Sequence, residues 1–232
     1  MLIEKIRPLS AALRRCAAAA AVVVWAALLL QLWLTLGLVI GQGRGFAMGL
    51  VVYFGFFTVL TNLLAALCLT ALATGATGAT GSQFAVHRSL SHPVTTSTAA
   101  VAITMVGLVY FLVLRHTWKP EGAQFVADAA LHYVNPALMV LLWWWAVPAG
   151  AIKRTEIAGL LAYPLAYLIY VFIRGEIVGL YPYFFIDVGQ LGYRTAALNS
   201  LGVLVAYAAV AVLFMALKRG LAKPKRRPGD GS

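Results

Sequence analysis

Six long apolar stretches run along this sequence, separated by short segments that hold most of the charged residues. The stretches cover residues 16–40, 47–73, 95–115, 128–149, 156–173 and 195–217. A helix needs about 20 apolar residues to cross the hydrocarbon core of a membrane, and each stretch is close to that length. None of them shows the apolar–polar alternation of a transmembrane β-strand. The pattern therefore predicts an all-α fold, a polytopic bundle of six transmembrane helices in one domain over residues 1–217.

Composition excludes the water-soluble classes of protein. Of the 232 residues, 62% are hydrophobic and only 11% are charged, whereas a soluble domain carries roughly 25% charged residues. So little polar surface cannot cover a water-soluble globule. The two cysteines, Cys16 and Cys68, lie inside apolar stretches and are predicted to be packing residues. Because the sequence lacks the common metal and nucleotide motifs, we expect neither a bound metal nor a cofactor.

Basic residues give the chain a net charge of +11 and concentrate at its two ends. Four precede the first stretch, and six lie between Lys218 and Arg227, in a basic tail over residues 218–232. Such flanking charges contact anionic lipid head groups, so we expect membrane lipids rather than nucleic acid as partners. With both termini in the cytoplasm, the inside segments hold 13 Lys and Arg residues and the outside segments five. This bias predicts cytoplasmic termini in a multi-pass protein of the cell (inner) membrane.

His132 is the histidine that falls inside an apolar stretch, the fourth. An ionisable side chain within a membrane costs several kcal/mol unless it has a partner, so it is a functional hypothesis by default. Asn135 follows three residues later on the same helical face, and Pro136 leaves a backbone carbonyl without its donor. The alternative is a histidine that reaches the outer interface or bonds that carbonyl.

A second polar stripe interrupts the second apolar stretch. Thr58, Thr61 and Asn62 stand at positions i, i+3 and i+4, on one face of a helix. Such residues often bond their own helix or join neighbouring helices, which is the structural alternative. A hydroxyl nucleophile needs an adjacent base, and His132 is the candidate base within the membrane.

Three segments carry a resemblance to a known family: FFTVLTNLL in the second stretch, LHYVNPALMVLLWW in the fourth and YPYFFIDVGQLGYR before the sixth. Together they resemble the androgen-induced/FAR-17a-like family of integral membrane proteins, and most closely its bacterial branch. The resemblance implies a threonine-type hydrolase of fatty acid esters of hydroxy fatty acids. It implies Thr58 as the nucleophile and His132 as its partner.

The function predicted from these observations is hydrolysis of a lipid or fatty-acyl ester. Thr58 Oγ attacks the ester carbonyl and forms an acyl-enzyme, while His132 takes the proton and later returns it to the leaving alkoxide. The oxyanion needs nearby donors, for which Asn62, Asn135 or Tyr181 are the candidates. A non-catalytic lipid-binding or transport protein, or a structural scaffold, are the alternatives.

The connection before the sixth stretch, from Arg174 to Arg194, is long, aromatic and contains two acids. Such a loop predicts a packed functional cap, and an ordinary interfacial segment is the alternative. Within the hydrolase interpretation, Asp187 or Glu176 is the candidate acid that orients the imidazole. Arg174 is the candidate partner of a fatty carboxylate, because its fork suits that group.

The predicted spans leave one geometric conflict. At 1.5 Å per residue, Thr58 lies roughly 10–17 Å below the outer boundary, whereas His132 lies only about 6 Å below it. Either the fourth helix enters the membrane more deeply than residue 128 implies, or a water molecule bridges the two side chains.

Overall fold

The computed structural model describes residues 9–75, 81–117 and 119–220. The first eight residues and the chain beyond Gly220 lie outside the described part. The prediction of a basic tail over residues 218–232 therefore meets the structure only at Lys218, Arg219 and Gly220. These three residues form the end of the last helix.

Every regular element in the described residues is helical, and six segments are long and apolar enough to cross a membrane. The protein is a six-span, multi-pass membrane protein, as predicted from the sequence. The described residues form nine α-helices: α1 Ala11–Gly41, α2 Gly45–Gly55, α3 Phe57–Thr74, α4 Gly81–Leu90, α5 Pro93–Val109, α6 Gly122–Ala129, α7 Asn135–Ala146, α8 Ile157–Val178 and α9 Val188–Gly220. The six spans are Ala11–Gly41, Phe57–Thr74, Pro93–Leu114, Gly122–Ala146, Arg154–Val178 and Val188–Gly220.

Helices α3 and α5 form the centre of the bundle, and their buried surfaces are rich in alanine. Ala65 and Ala66 of α3 and Ala99 and Ala100 of α5 are fully buried. Association of helices in lipid depends on close van der Waals packing, which small side chains permit. The other spans surround this pair and present large apolar side chains, such as Trp33 of α1, to the outside.

The second apolar stretch is broken near its middle instead of forming the single helix that the sequence predicts over 47–73. α2 ends at Gly55, Phe56 has an extended backbone (φ −81°, ψ 130°), and α3 begins at Phe57. A helix end leaves backbone carbonyls without donors, and lipid cannot supply them. Helix α8 supplies them here. Its side chains Tyr167, Tyr170 and Arg174 donate to carbonyl oxygens in the last five residues of α2, at 2.9 to 3.2 Å.

The fourth span begins at Gly122, six residues before the predicted start at 128. Its first turns are less apolar, but their polar groups have partners inside the bundle. Gln124 Nε2, for example, donates to Gln31 Oε1 of α1 at 2.9 Å. Counting apolar residues misses such a segment, because a polar side chain with a partner is compatible with a membrane helix.

Two spans contain a five-residue π-helical turn, where the backbone bonds run from residue i to i−5. One turn, Tyr110–Leu114, follows α5, and the other, Ala130–Val134, joins α6 to α7. Pro136 has no N–H to donate to the carbonyl of His132, so the α-helical bonding pattern cannot continue through the second turn. π-Turns of this kind occur frequently at functional sites.

Candidate active site

Thr58 lies in the first turn of α3, at the break in the second span. It is the second residue of the helix, and its side chain is buried. The first N–H groups of a helix have no acceptor within the helix, and the helix dipole favours negative charge at this end. The break at Phe56 therefore places a hydroxyl beside a set of backbone donors in the interior of the bundle.

The structure brings Thr58 and His132 into direct contact, with 3.4 Å between Thr58 Oγ and His132 Nε2. The conflict in depth between the two residues is absent because the fourth span starts at Gly122. His132 is then ten residues, or about 15 Å, into its helix. Of the two explanations that the sequence left open, the deeper fourth helix is the one that the structure has.

Asp128 lies on the other side of the imidazole, one turn before His132. His132 Nδ1 is 3.0 Å from the backbone oxygen of Asp128 and 3.3 Å from its carboxylate oxygen Oδ1. A carbonyl and a carboxylate only accept hydrogen bonds, so Nδ1 is the nitrogen that carries the proton whenever the imidazole is neutral. Nε2 is then the acceptor, and it faces the Thr58 hydroxyl. This is the tautomer that a general base requires.

An aromatic ring stacks on the imidazole, and a glycine of α5 packs against the His132 backbone. The ring of Tyr110, at the start of the first π-turn, stacks on His132 with 4.1 Å between the ring centroids. Gly107 of α5 faces the carbonyl oxygen of His132, and a Cβ at this position would lie 3.2 Å from it. A glycine therefore permits the close approach of α5 to the second π-turn.

Tyr183, from the loop between α8 and α9, provides a second hydroxyl beside Thr58. The Thr58 N–H donates to the Tyr183 oxygen at 3.3 Å, and the two hydroxyl oxygens are 3.4 Å apart. Burial raises the pKa of Tyr183, so the phenol keeps its proton and can donate. When Thr58 donates to His132, Tyr183 donates to Thr58 Oγ.

Asn62 of α3 and Asn135 of the fourth span form hydrogen bonds that link these two helices beside Thr58 and His132. Asn62 Nδ2 donates to the carbonyls of Thr58 and Leu131, at 2.9 and 3.3 Å, and so ties α3 to the residue before His132. Asn135 Nδ2 donates to Asn62 Oδ1 at 2.8 Å. Both amides are fully buried. Their donors are engaged with the protein, so in this structure they hold α3 against the fourth span, and their role as oxyanion donors stays a prediction.

The four predicted residues of the outer connection bond groups other than the imidazole. Arg174 Nη1 donates to the Leu180 carbonyl at 2.8 Å, and Nε and Nη2 donate to the Val51 carbonyl of α2. The guanidinium therefore binds backbone carbonyls. Tyr181 donates to Glu176 Oε1 at 2.7 Å. Burial and this hydrogen bond raise the pKa of Tyr181 to about 12. Asp187 accepts from the backbone and side chain of Gln190 at the start of α9.

An apolar cavity of about 70 Å³ opens beside Thr58, between α3, α5, α8, α9 and the 183–186 loop. Thr58 and Tyr183 contribute polar groups to its wall, and most of the remainder is apolar, with Met105, Val109 and Leu204 as examples. His132 approaches Thr58 from the fourth span and is not part of this wall. The hydroxyl of Thr58 thus lies between a base on one side and an apolar cavity on the other.

Within the described part of the chain, no group of three or more His, Cys, Asp or Glu side chains is arranged to hold a metal ion. No family model, no curated protein and no solved structure matches this chain. The resemblance of the three segments to the androgen-induced/FAR-17a-like family stays a prediction, and the geometry of the site is the basis for a functional proposal.

Three residues of the site were missed in the sequence. Asp128 had a usable signal, because it precedes His132 by four residues and therefore shares its helical face. Tyr183 was two residues from the predicted Tyr181, and the sequence alone cannot tell which tyrosine of a loop turns inward. Tyr110 gave no signal, since its contact with His132 depends on the packing of two different π-turns.

Proposed function

We propose that this protein is a membrane-embedded hydrolase of lipid esters, with Thr58 as nucleophile and His132 as general base. The observation that carries the proposal is the series of contacts from the Asp128 carboxylate to the His132 imidazole and from the imidazole to the Thr58 hydroxyl, at 3.3 and 3.4 Å. A hydroxyl, a base and a group that orients the base are the components of nucleophilic acyl transfer. Asp128, rather than Glu176 or Asp187, takes the orienting role in this proposal.

In the first half of the reaction, the Thr58 oxygen attacks the ester carbonyl carbon while His132 Nε2 accepts the hydroxyl proton. The negative charge that develops on the carbonyl oxygen is stabilised by the Tyr183 O–H and by backbone N–H groups at the start of α3. The Asp128 carboxylate stabilises the imidazolium. The carbon–oxygen bond to the alcohol then breaks, His132 returns the proton to the departing alkoxide, and an acyl–Thr58 ester remains.

In the second half, His132 takes a proton from a water molecule, and the resulting hydroxide attacks the acyl–Thr58 carbonyl. The bond to Thr58 breaks, the threonine oxygen recovers a proton from His132, and a carboxylic acid leaves. Each cycle therefore consumes one ester and one water and yields one alcohol and one acid. No cofactor is needed for this chemistry.

The substrate class follows from the surroundings of Thr58. The cavity wall is almost wholly apolar and lies within a membrane bundle, which suits a fatty acyl chain. The family resemblance narrows this class to fatty acid esters of hydroxy fatty acids or similar lipid esters. The charge bias along the chain supports the further proposal that the enzyme lies in the cell (inner) membrane with both termini in the cytoplasm.

The test is hydrolysis of a long-chain ester by purified protein in detergent. We expect Thr58→Ala to be nearly inactive, because removal of the nucleophile forfeits the whole covalent route. Thr58→Ser, which keeps a hydroxyl at the same position, is the matched control and should retain measurable turnover. If Thr58→Ala is folded and turns over like the wild type, the hydrolase proposal fails. A protein that binds the ester in the cavity without cleaving it is a lipid carrier.

A further inference from the structure

The end of α3 that lies farthest from the candidate active site carries another cavity, larger than the one beside Thr58. It is an open groove of about 360 Å³ between the last turns of α3 and the ten-residue helix α4. Such a volume lies within the range of small-molecule sites, about 300–1,000 Å³. Thr58 and Thr74 lie in the first and last turns of α3, about 24 Å apart. This α3–α4 groove, whose wall includes Thr74, is therefore separate from the active site.

Helix α4 forms one side of the groove and belongs to none of the six spans. Its ten residues extend about 15 Å, half the thickness of the hydrocarbon core. His87 Nε2 is 2.7 Å from the carbonyl oxygen of Ala71 and holds α4 against α3. Leu67 and Val86, from the two sides of the groove, are both exposed. The groove therefore faces the surroundings of the bundle and is open to a ligand from outside.

Positive charge lies beside the groove, and the surrounding sequence holds no acid to balance it. Arg14 of α1 donates to the carbonyls of Ala73 and Thr74, at 3.0 and 2.6 Å, so its guanidinium lies at the end of α3. Arg88 of α4 is exposed. Residues 5–120 include no Asp or Glu. In the part of the chain that the structure describes, neither guanidinium has a carboxylate within 4 Å.

An apolar wall beside unbalanced positive charge is complementary to an anionic amphiphile. Leu67, Val86 and Leu90 offer an apolar surface to an acyl chain. Guanidinium groups bind phosphate oxygens well, and basic clusters at the ends of membrane helices bind anionic head groups. A small soluble anion would make no use of the apolar wall.

We propose that the α3–α4 groove binds an anionic phospholipid from the surrounding membrane, with an acyl chain against the apolar wall and the phosphate beside Arg14 and Arg88. This site does not depend on the proposed ester hydrolysis, and its occupant is a bound lipid rather than a substrate.

The first experiment measures lipid binding to the purified full-length protein in detergent by native mass spectrometry. Phosphatidylglycerol and phosphatidylcholine with identical acyl chains are titrated separately, and we expect tighter binding of phosphatidylglycerol at one site. Arg14→Gln should weaken this site at least about tenfold, the worth of one charge-assisted hydrogen bond. Val86→Trp, which fills the groove, should weaken it as well. Val22→Trp on the exposed face of α1 and Arg154→Gln before α8 are the matched controls and should bind like the wild type.

Equal affinity of the wild type for the two lipids would overturn the inference. A preference for phosphatidylglycerol that Val86→Trp leaves unchanged would also overturn it. Val86→Trp alone decides if Arg14→Gln lowers Tm, because Arg14 also bonds the last carbonyls of α3. Displacement of the bound lipid by inorganic phosphate would overturn it too, since the site would then take a soluble anion.

The second experiment locates the lipid in a bilayer. The protein is reconstituted in phosphatidylcholine vesicles that contain a small fraction of phosphatidylglycerol with a photoreactive diazirine in one acyl chain. After irradiation, the adducts are mapped on peptides by mass spectrometry. Adducts concentrated on residues 67–74 and 83–90 support the inference, whether or not the protein hydrolyses esters. Adducts spread evenly over the lipid-facing helices overturn it.

Discussion

Two regions of this bundle use their helices in opposite ways. At the centre, α3 and α5 are regular and pack through fully buried alanines such as Ala66 and Ala99. Around Thr58, three spans depart from α-helical geometry, through the break at Phe56 and the π-turns at Tyr110–Leu114 and Ala130–Val134. Each departure presents a side chain or a backbone donor to the same point. The comparison teaches that the regular region packs tightly, and that the irregular region brings Thr58 and His132 into a contact that depends on these departures.

Substitution of Asp128 should produce the largest change in the irregular region. In Asp128→Asn the side-chain amide can donate to Nδ1, which favours the wrong imidazole tautomer. We expect kcat to fall by about 10²–10⁴-fold with little change in Tm. Asp187→Asn is the matched control, because Asp187 caps α9 away from the imidazole and should keep wild-type kcat. Equal losses in the two variants would contradict the assignment of Asp128.

Loss of Arg174 tests whether the break at Phe56 matters to Thr58. Arg174→Leu removes the hydrogen bonds from the guanidinium to the Val51 and Leu180 carbonyls, each worth about 1.5–3 kcal/mol because the donor is charged. The end of α2 should shift and carry Thr58 with it, and a displacement of 1 Å can cost about 10²-fold in rate. Tm and kcat should therefore fall together. Arg174→Lys keeps the charge without the fork, and both losses should be smaller. A variant with lower Tm and unchanged kcat would separate the break from catalysis.

Overpacking the regular region should lower Tm and leave kcat nearly unchanged. Ala99→Leu inserts a larger side chain into a fully buried position, which costs about 1–3 kcal/mol. We expect a lower Tm with near wild-type kcat for the protein that remains folded. Thermal unfolding and turnover, measured on the same preparation, give both numbers. A loss of kcat without a loss of Tm would mean that the alanine packing controls the site directly.

The smallest effect is expected at Thr61, one turn below Thr58 on the same helix. Thr61→Val removes the hydroxyl contact with Tyr163, worth about 0.5–1.5 kcal/mol, and nearly preserves the shape of the side chain. Turnover should stay close to the wild type. Activity as low as that of Thr58→Ala would reassign the nucleophile to Thr61.

The sequence predicts the regular region better than the irregular one, for a physical reason. Spans follow from a count of apolar residues, and all six were found. The break at Phe56 gives no such signal, because an apolar stretch looks the same whether or not its backbone is interrupted. Tyr167 and Tyr170 donate hydrogen bonds to the carbonyls at this break, so these carbonyls are not left unpaired in lipid. Both residues lie more than 110 residues away along the chain.

The pairing of Thr58 with His132 was predicted from residue chemistry and from the resemblance, and the structure places the two side chains in contact. The predicted supporting residues have other partners in the structure. Arg174 and Asn62 are engaged with backbone carbonyls, and the acid beside the imidazole is Asp128. Charge and hydrogen-bonding capacity can be read from a sequence, whereas the partner that uses them depends on tertiary packing.

The most direct test of the account is the mass of the protein after reaction with a lipophilic fluorophosphonate, which forms a stable bond to an activated hydroxyl. The account predicts one adduct on wild-type protein, located on the peptide that contains Thr58, and no adduct on Thr58→Ala. Asp128→Asn should react much more slowly, since its imidazole is no longer held as a base. Hydrolysis of lipid esters by a protein that forms no adduct at Thr58, or an adduct that persists in Thr58→Ala, would contradict the account.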